Sequence, residues 1–474
     1  MTVQTVIVLA AGEGTRMKSA TPKVLHSVAG RSLLGHVLHA VNHLEPTELR
    51  IVVGSGRQAV EAHIAEIAPK ATTVFQEHRG GTGHAAQLAL AGKAPKGTVL
   101  VLAGDTPLLS GDSLAQFVAA HAAGKFAASV LTAEHPEPTG YGRIIRDDSD
   151  ELLRIVEEKD ATDDEKFIFE VNSGVYAFDG EKLAASIGQL TNANAQGELY
   201  LTDVIGILKS AGESIAAIMI DDFTETLGVN DRVQLAESAA MLRDRINEGW
   251  MRAGVTIVDP TTTWIDSTVE LSQDVTLHPG TALLGATKVA TGAVIGPRTT
   301  LTDCVVKEGA QVLESIATRT VIGEGATVGP FTYLREGTQL GDSTKAGAFV
   351  EMKNAVLGTG SKVPHLSYVG DATIGEGTNI GAATIFVNYD GIEKHHTTVG
   401  DQVRIGSDTM LVAPVSIGDG AYTAAGSVIT EDVPAGAIGV GRAKQRNVLD
   451  WVLRKRPNTS SAQAAEASTR QDKK

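Results

Sequence analysis

From residue 265 onward, aliphatic side chains return at every sixth position. Ile265, Leu271, Leu277, Leu283, Val289, Ile295 and Leu301 obey one phase without a break. The period resumes as Ile322, Val328, Leu334, Leu340 and Ala346, and again as Val399, Ile405, Leu411, Ile417, Thr423 and Ile429. A six-residue period fits neither an α-helix, nor a heptad, nor a simple strand. It is the hexapeptide pattern of a parallel β-helix, in which three repeats close one triangular coil and the aliphatic residue of each flat side points to the axis. Coils then stack at ordinary strand spacing, ~4.8 Å. Composition agrees: 51 glycines and only 4% aromatics suit tight turns around small side chains. The phase slips over 304–316, which predicts irregular coils there. The polar stretch "FVNYDGIEKHHTTV" (386–399) breaks the period and must project from the prism, where repeat proteins bind their ligands. From Pro457 the chain is polar and aperiodic, and the expectation is disorder.

The first 228 residues have another texture. "TVIVLAAG", "LRIVVGSG", "TVLVLAGD" and "FAASVLTA" read as buried strands, with helical patterns such as "GRSLLGHVLHAVNHL" between them. That alternation predicts an α/β fold with a mainly parallel sheet and helices on both faces. Residues 229–252 read as one helix with the stripe Leu235, Ala239, Leu242, Ile246 and Trp250, and Asn230 is placed to cap it. The expected division is an α/β domain at 1–228, a helical arm at 229–252, a β-helix at 253–456 and a tail at 457–474.

A net charge of -15 argues against a nucleic-acid binder. The single cysteine, Cys304, permits no intrachain disulfide and reads as a small core residue. The opening apolar run is too short for a signal peptide or a membrane span, so the cytoplasm is the expected location.

In such sheets ligands sit at the carboxyl ends of strands. Two segments lie there: "LAAGEGTRMKSATPKVL" (9–25) and "AGDTPLL" (103–109). The first is Gly-rich and cationic, but it is no dinucleotide loop, because Met17 stands where the third glycine belongs. It also lacks the Gly-Lys-Ser/Thr ending of a Walker loop. It looks built for an anion by a different geometry.

These pieces together, with "EMKNAVLGTGSKVPHLSYVGD", "NYDG", "GSDTMLVAP" and "AAGSVI", closely resemble the bifunctional family that makes UDP-N-acetylglucosamine by fusing a uridyltransferase to an acetyltransferase. The resemblance spans nearly the whole chain. It implies a Rossmann-like nucleotidyltransferase domain followed by a left-handed parallel β-helix. It also implies four small-molecule substrates: glucosamine-1-phosphate, N-acetylglucosamine-1-phosphate, UTP and acetyl-CoA. A homotrimer is expected, with no nucleic-acid or membrane partner.

For the first reaction the resemblance assigns Leu9, Ala10, Ala11, Gly12 and Lys23 to the triphosphate loop. Successive N–H groups there can wrap phosphate oxygens. Arg16 would face the departing pyrophosphate and Lys23 the sugar phosphate. Gln76, Gly81 and Thr82 would read the uracil edge. Gly142, Glu157 and Asn172 would form the sugar pocket. Mg2+ is expected on Asp105 and Asn230, a carboxylate and an amide oxygen being suitable hard ligands. The capping role competes for the same Asn230 oxygen. For the second reaction His365 is the implied general base, with Glu351 orienting its ring. Arg335, Lys353, Tyr368 and Asn379 would hold glucosamine-1-phosphate. Ala382, Asn388, Tyr389, Ser407, Ala425 and Arg442 would hold acetyl-CoA, although small residues also fill tight coils. Two rivals remain at this stage: another sugar nucleotidyltransferase with a regulatory β-helix, and a trimeric scaffold.

Overall fold

The computed structural model describes residues 3–91 and 95–471; the ends of the expected first domain and tail, 1–2 and 472–474, lie outside the described residues. The chain divides into two compact units, Met1–Asp303 and Cys304–Lys474.

The first unit is built on a twisted sheet. Its path runs Ile215–Met219, Ala128–Glu134, Glu170–Asp179, Thr98–Ala103, Thr5–Ala10, Glu48–Val53, Thr72–Phe75. The pairings are parallel except at Glu170–Asp179, which runs antiparallel to both neighbours. Both faces are covered, which is why the strand Thr5–Ala10 is apolar at every position after Thr5. Val6, Val8 and Ala10 enter one core with Leu34, Val37 and Val41 of the helix Leu33–Asn42. Ile7 enters the other with Ala85, Ala86 and Ala89 of the helix Gly81–Leu90. An antiparallel hairpin, Arg143–Arg146 with Leu152–Val156, attaches to Glu170–Asp179 at the single pair Val171–Arg143.

The long helix spans Arg232–Arg252. Its cap is Asp231, whose carboxylate accepts from the Val233 and Gln234 N–H groups at 2.9 Å each, and not Asn230 as expected. Asp231 is one residue closer to the first helical turn, so its short side chain reaches both free donors. The compact unit also takes in the first coils, where the sequence texture placed a boundary. The reason is bonding: Ser267 N and Oγ both donate to the Ala29 carbonyl, at 2.9 and 3.0 Å. Asn247 of the long helix, fully buried, donates to the Pro260 and Thr263 carbonyls.

The hexapeptide prediction holds in register. Ile265 pairs with Leu283 and Leu283 with Leu301, each eighteen residues on, which is three repeats per coil. In the second unit Ile322 pairs with Leu340 and Leu334 with Met352 at the same interval. The fold is the left-handed parallel β-helix. Around the phase slip the coil is shorter: Val305 pairs with Val321 and Gln311 with Thr327, sixteen residues on. Val306, Val312 and Ala317 still point inward at no more than 1% exposure. Cys304 is fully buried. The insertion shows as Ile380 pairing with Ile405, twenty-five residues on. Buried threonines line the corners two residues before the aliphatic position. Thr344, Thr384 and Thr409 each turn a hydroxyl to a backbone carbonyl three residues back, satisfying what would be a costly buried donor. The expected disorder after Pro457 is corrected: Ser460–Gln471 is helical, and Ala462 is buried. The segment "SAQAAEA" is rich in strong helix formers, and the Thr459 hydroxyl accepts from the Ala462 N–H at the first turn.

Candidate active sites

At the carboxyl ends of the parallel strands lies a cavity of about 470 Å³. It gathers Leu9, Ala10, Ala11, Gly12, Arg16 and Lys23 with Gln76, Gly81, Thr82, Asp105, Glu157, Asn172 and Asn230. Residues from Leu9 to Asn230 thus share one cavity. Of the residues named for this site, Gly142 alone is not in the lining; its carbonyl sits one bond behind, accepting from the Asn172 N–H at 2.9 Å.

The loop after the first strand is held at both ends. Gly14 is left-handed, φ +62 and ψ 38, which an L side chain rarely adopts. It leads into the short turn Thr15–Met17, and Met17 is buried beside Leu33, Leu108 and Leu242. Lys23 opens the turn Lys23–Leu25, with Val24 in the core. Its ammonium donates to Asp105 Oδ2 and, at 3.2 Å, to Asn230 Oδ1. Asp231 caps the helix and so leaves the Asn230 oxygen for this cationic point.

On one wall, Gln76 Nε2 donates to the Gly81 carbonyl at 3.1 Å, and Thr82 Oγ1 accepts from the Leu201 N–H. On another wall, Asn172 Nδ2 donates to Tyr176 Oη at 2.7 Å, and Thr202 donates to Glu157. Burial pushes the Glu157 carboxyl up; the Thr202 hydroxyl opposes this, while Asp203 and Asp160 add to it. Tyr176, Thr202, Glu198 and Arg79 also line the cavity, and the sequence reading missed them. Arg79 pairs with Glu13 of the loop at 2.5 Å. Nothing local in the sequence marks Tyr176 or Thr202; they arrive through strand pairing.

In the second unit His365, Ala382, Ser407 and Ala425 follow one corner of the prism, whereas Asn388 and Tyr389 belong to the 386–399 stretch. The His365 carbonyl accepts from Ala383 N, the Ala382 carbonyl from Asp408 N, and the Ser407 carbonyl from Gly426 N. Leu366, Ala383 and Asp408 are all left-handed there, φ 51, 60 and 58. His365, Ala382, Ser407 and Ala425 therefore stack coil upon coil. His365, Tyr389, Ser407, Ala425 and Arg442 are exposed. Glu351 does not orient His365. Its Oε1 accepts from Arg335 Nη1 at 2.9 Å, because Glu351 lies beside Tyr333 and Tyr368 on the adjoining face. Asn379 lies on a different face from Glu351, in the sheet that carries Lys345–Ala348 and Lys362–His365, paired with Lys362 and Arg404.

Asn388, nearly buried, donates to Asp371 Oδ2 at 2.5 Å and lies 3.5 Å from Tyr368 Oη. Gly370 makes the room: a Cβ there would stand 2.4 Å from Tyr368 Oη and 2.6 Å from Asn388 Nδ2. Burial pushes Asp371 up, but hydrogen bonds from Asn354 and Asn388, together with the Lys394 and Lys353 charges, leave the carboxyl low. Lys394, on the projecting loop, repels Lys353 and holds that ammonium below its usual value. The sequence reading did not single out Asp371 or Lys394.

Among the described residues no helix is long and apolar enough to cross a membrane. Residues 6–168 match the MobA-like NTP transferase domain, and residues 396–431 match the bacterial transferase hexapeptide (six repeats). The chain is 56% identical to the Bifunctional protein GlmU of Streptomyces coelicolor, over 98% of this chain and 97% of that one. It is 56% identical to that of Streptomyces avermitilis with the same coverage. It is 53% identical to that of Corynebacterium efficiens, over 98% of this chain and 96% of that one.

Proposed function

Because the chain belongs to the family of bifunctional GlmU proteins, and so joins a uridyltransferase to an acetyltransferase, we propose this division of labour. The second unit transfers acetyl from acetyl-CoA to glucosamine-1-phosphate. The first transfers uridylyl from UTP to N-acetylglucosamine-1-phosphate, giving UDP-N-acetylglucosamine and pyrophosphate.

In the uridylyl step a phosphate oxygen of the sugar-1-phosphate attacks the α-phosphorus of UTP. The bond to the β-phosphate oxygen breaks and pyrophosphate leaves. Little acid–base chemistry is needed; the obstacle is repulsion between anions. Residues 9–12 cradle the triphosphate with backbone N–H groups, Arg16 faces the pyrophosphate and Lys23 the sugar phosphate. Gln76, Gly81 and Thr82 take the uracil edge, and Gly142, Glu157 and Asn172 the amino sugar. Asp105 and Asn230 fit Mg2+, since a carboxylate and an amide oxygen already converge on one cationic point, the Lys23 ammonium. When bound, the ion supplies neutralisation of triphosphate charge.

In the acetyl step the amine attacks the thioester carbonyl, the C–S bond breaks, and CoA leaves as its thiolate. His365 takes the proton that the amine sheds. Arg335, Lys353, Tyr368 and Asn379 hold the sugar phosphate. Asn388 and Tyr389 meet the reacting groups, and Ala382, Ser407, Ala425 and Arg442 carry the donor along the corner. The assembly is a homotrimer, and the location is the cytoplasm, where UTP and acetyl-CoA are made.

The observation that carries the first assignment is the gathering of loop, base-side and sugar-side residues in one cavity. The test uses two assays on the purified protein: CoA release with glucosamine-1-phosphate, and pyrophosphate release with UTP and the acetylated sugar. His365→Ala should lose the first by about 10²–10⁴-fold and keep the second; Asp105→Ala should do the reverse. A protein that releases pyrophosphate but never consumes acetyl-CoA would instead carry a regulatory β-helix.

A further inference from the structure

Gly142, Glu157 and Asn172 come to the sugar pocket from three separate segments, and one side chain sits at their junction. Arg143 follows Gly142 directly. Its backbone pairs with Val156, the neighbour of Glu157, and with Val171, the neighbour of Asn172. The side chain is 1% exposed. Nη1 donates to the Tyr141 carbonyl. Nη2 stands 2.8 Å from Glu158 Oε2 and donates to the Lys166 carbonyl at 3.4 Å. The guanidinium thus hydrogen-bonds the turn that carries Gly142 on one side and, without a hydrogen bond to Glu158 Oε2, forms an ion pair with the residue next to Glu157 on the other.

A buried ion pair of this kind is weak evidence of stabilisation. Burying a cation costs several kcal/mol of hydration, and replacing a buried ion pair with apolar residues is often neutral or stabilising. What a buried, forked donor does well is hold several acceptors at set positions. The fork here joins the two sides of the sugar pocket without entering the cavity.

We propose that Arg143 is a positioning residue for the amino-sugar phosphate: by holding Tyr141 and Glu158 it sets the spacing between the Gly142 turn and the Glu157 carboxylate. The proposal rests on the sugar-pocket reading above. The uracil and triphosphate contacts come from other segments, so the effect is confined to one substrate.

The test is steady-state kinetics of uridylyl transfer in the full chain, varying each substrate in turn, for Arg143→Met, Arg143→Lys, Glu158→Gln and the double variant Arg143→Met/Glu158→Gln. Arg143→Met should raise KM for N-acetylglucosamine-1-phosphate about tenfold or more, with kcat and the UTP KM changed less than about threefold. Acetyl transfer should be unchanged. Arg143→Lys should recover part of the loss. The double variant should be no worse than Arg143→Met alone, because both substitutions cut one link. The idea fails if the sugar KM stays within twofold, if both KM values rise together, or if the two substitutions multiply. Should Arg143→Met not fold, Glu158→Gln decides by itself: a threefold or larger rise in sugar KM supports the proposal and an unchanged KM overturns it. A wild-type protein without uridylyl transfer overturns the pocket reading, and the proposal with it.

Discussion

Gly14→Ala is the sharpest probe of how the first loop places its lysine. A Cβ at residue 14 would stand 2.5 Å from Lys23 Cβ and 3.3 Å from Cγ, where ordinary contact begins at 3.4 Å. Lys23 cannot retreat easily, because Val24 beside it is 4% exposed in the core. The two Cβ atoms must therefore separate by roughly 1 Å, and the substituted residue must hold φ +62, which costs an L side chain about 1–2 kcal/mol. A displacement of that size at a substrate-positioning group lowers rate by about 10²-fold, or about 2.7 kcal/mol of barrier. The assay is kcat/KM for pyrophosphate release, with CoA release by the same preparation as the internal control. The expected result is a loss near two orders of magnitude in the first and none in the second. A loss under about threefold in a folded protein, or equal losses in both reactions, would refute the idea that the loop backbone sets the Lys23 ammonium.

Other outcomes follow from single contacts. Asp231→Ala should lower stability by about 1 kcal/mol in chemical unfolding while uridylyl transfer survives; Asn230→Ala should do the opposite, and a shared stability loss would contradict the separation of cap and ligand. Burial pulls His36 from 6.5 down to about 4, against the Val28 hydrogen bond that raises it. The unfolded chain then binds the proton first, so this stabilisation is complete above about 6.5 and fades as pH falls toward 4, by about 3 kcal/mol in all. Urea midpoints at pH 7 and 4.5 should show a smaller pH dependence in His36→Gln than in the wild type; parallel dependences would exclude His36 as a source. Chelation of divalent cations should stop pyrophosphate release and leave CoA release intact, and uridylyl transfer that persists in chelator would remove Asp105 and Asn230 from the metal-binding role.

The hexapeptide period was enough, alone, to dictate the prism. The inward position depends only on where a residue falls in its own repeat, and Ile265, Leu283 and Leu301 meet because they are three repeats apart. The shape of the first loop was legible for a similar reason: Gly14, which turns left-handed, and the turn Thr15–Met17 lie within one short run. Partners set across long sequence distances were not legible. Which of its two expected roles Asn230 plays stays open in the sequence until Asp231 takes the cap and Lys23 arrives from two hundred residues away. Glu351 reads as an orienter of His365 until coil stacking sets it against Arg335. The tail's helix and the Arg143 junction, where three strands meet, also belong to the fold. Periodicity and backbone chemistry are local and survive in the linear chain, whereas which donor reaches which acceptor is decided only when strand register brings distant segments within 3 Å or so of one another.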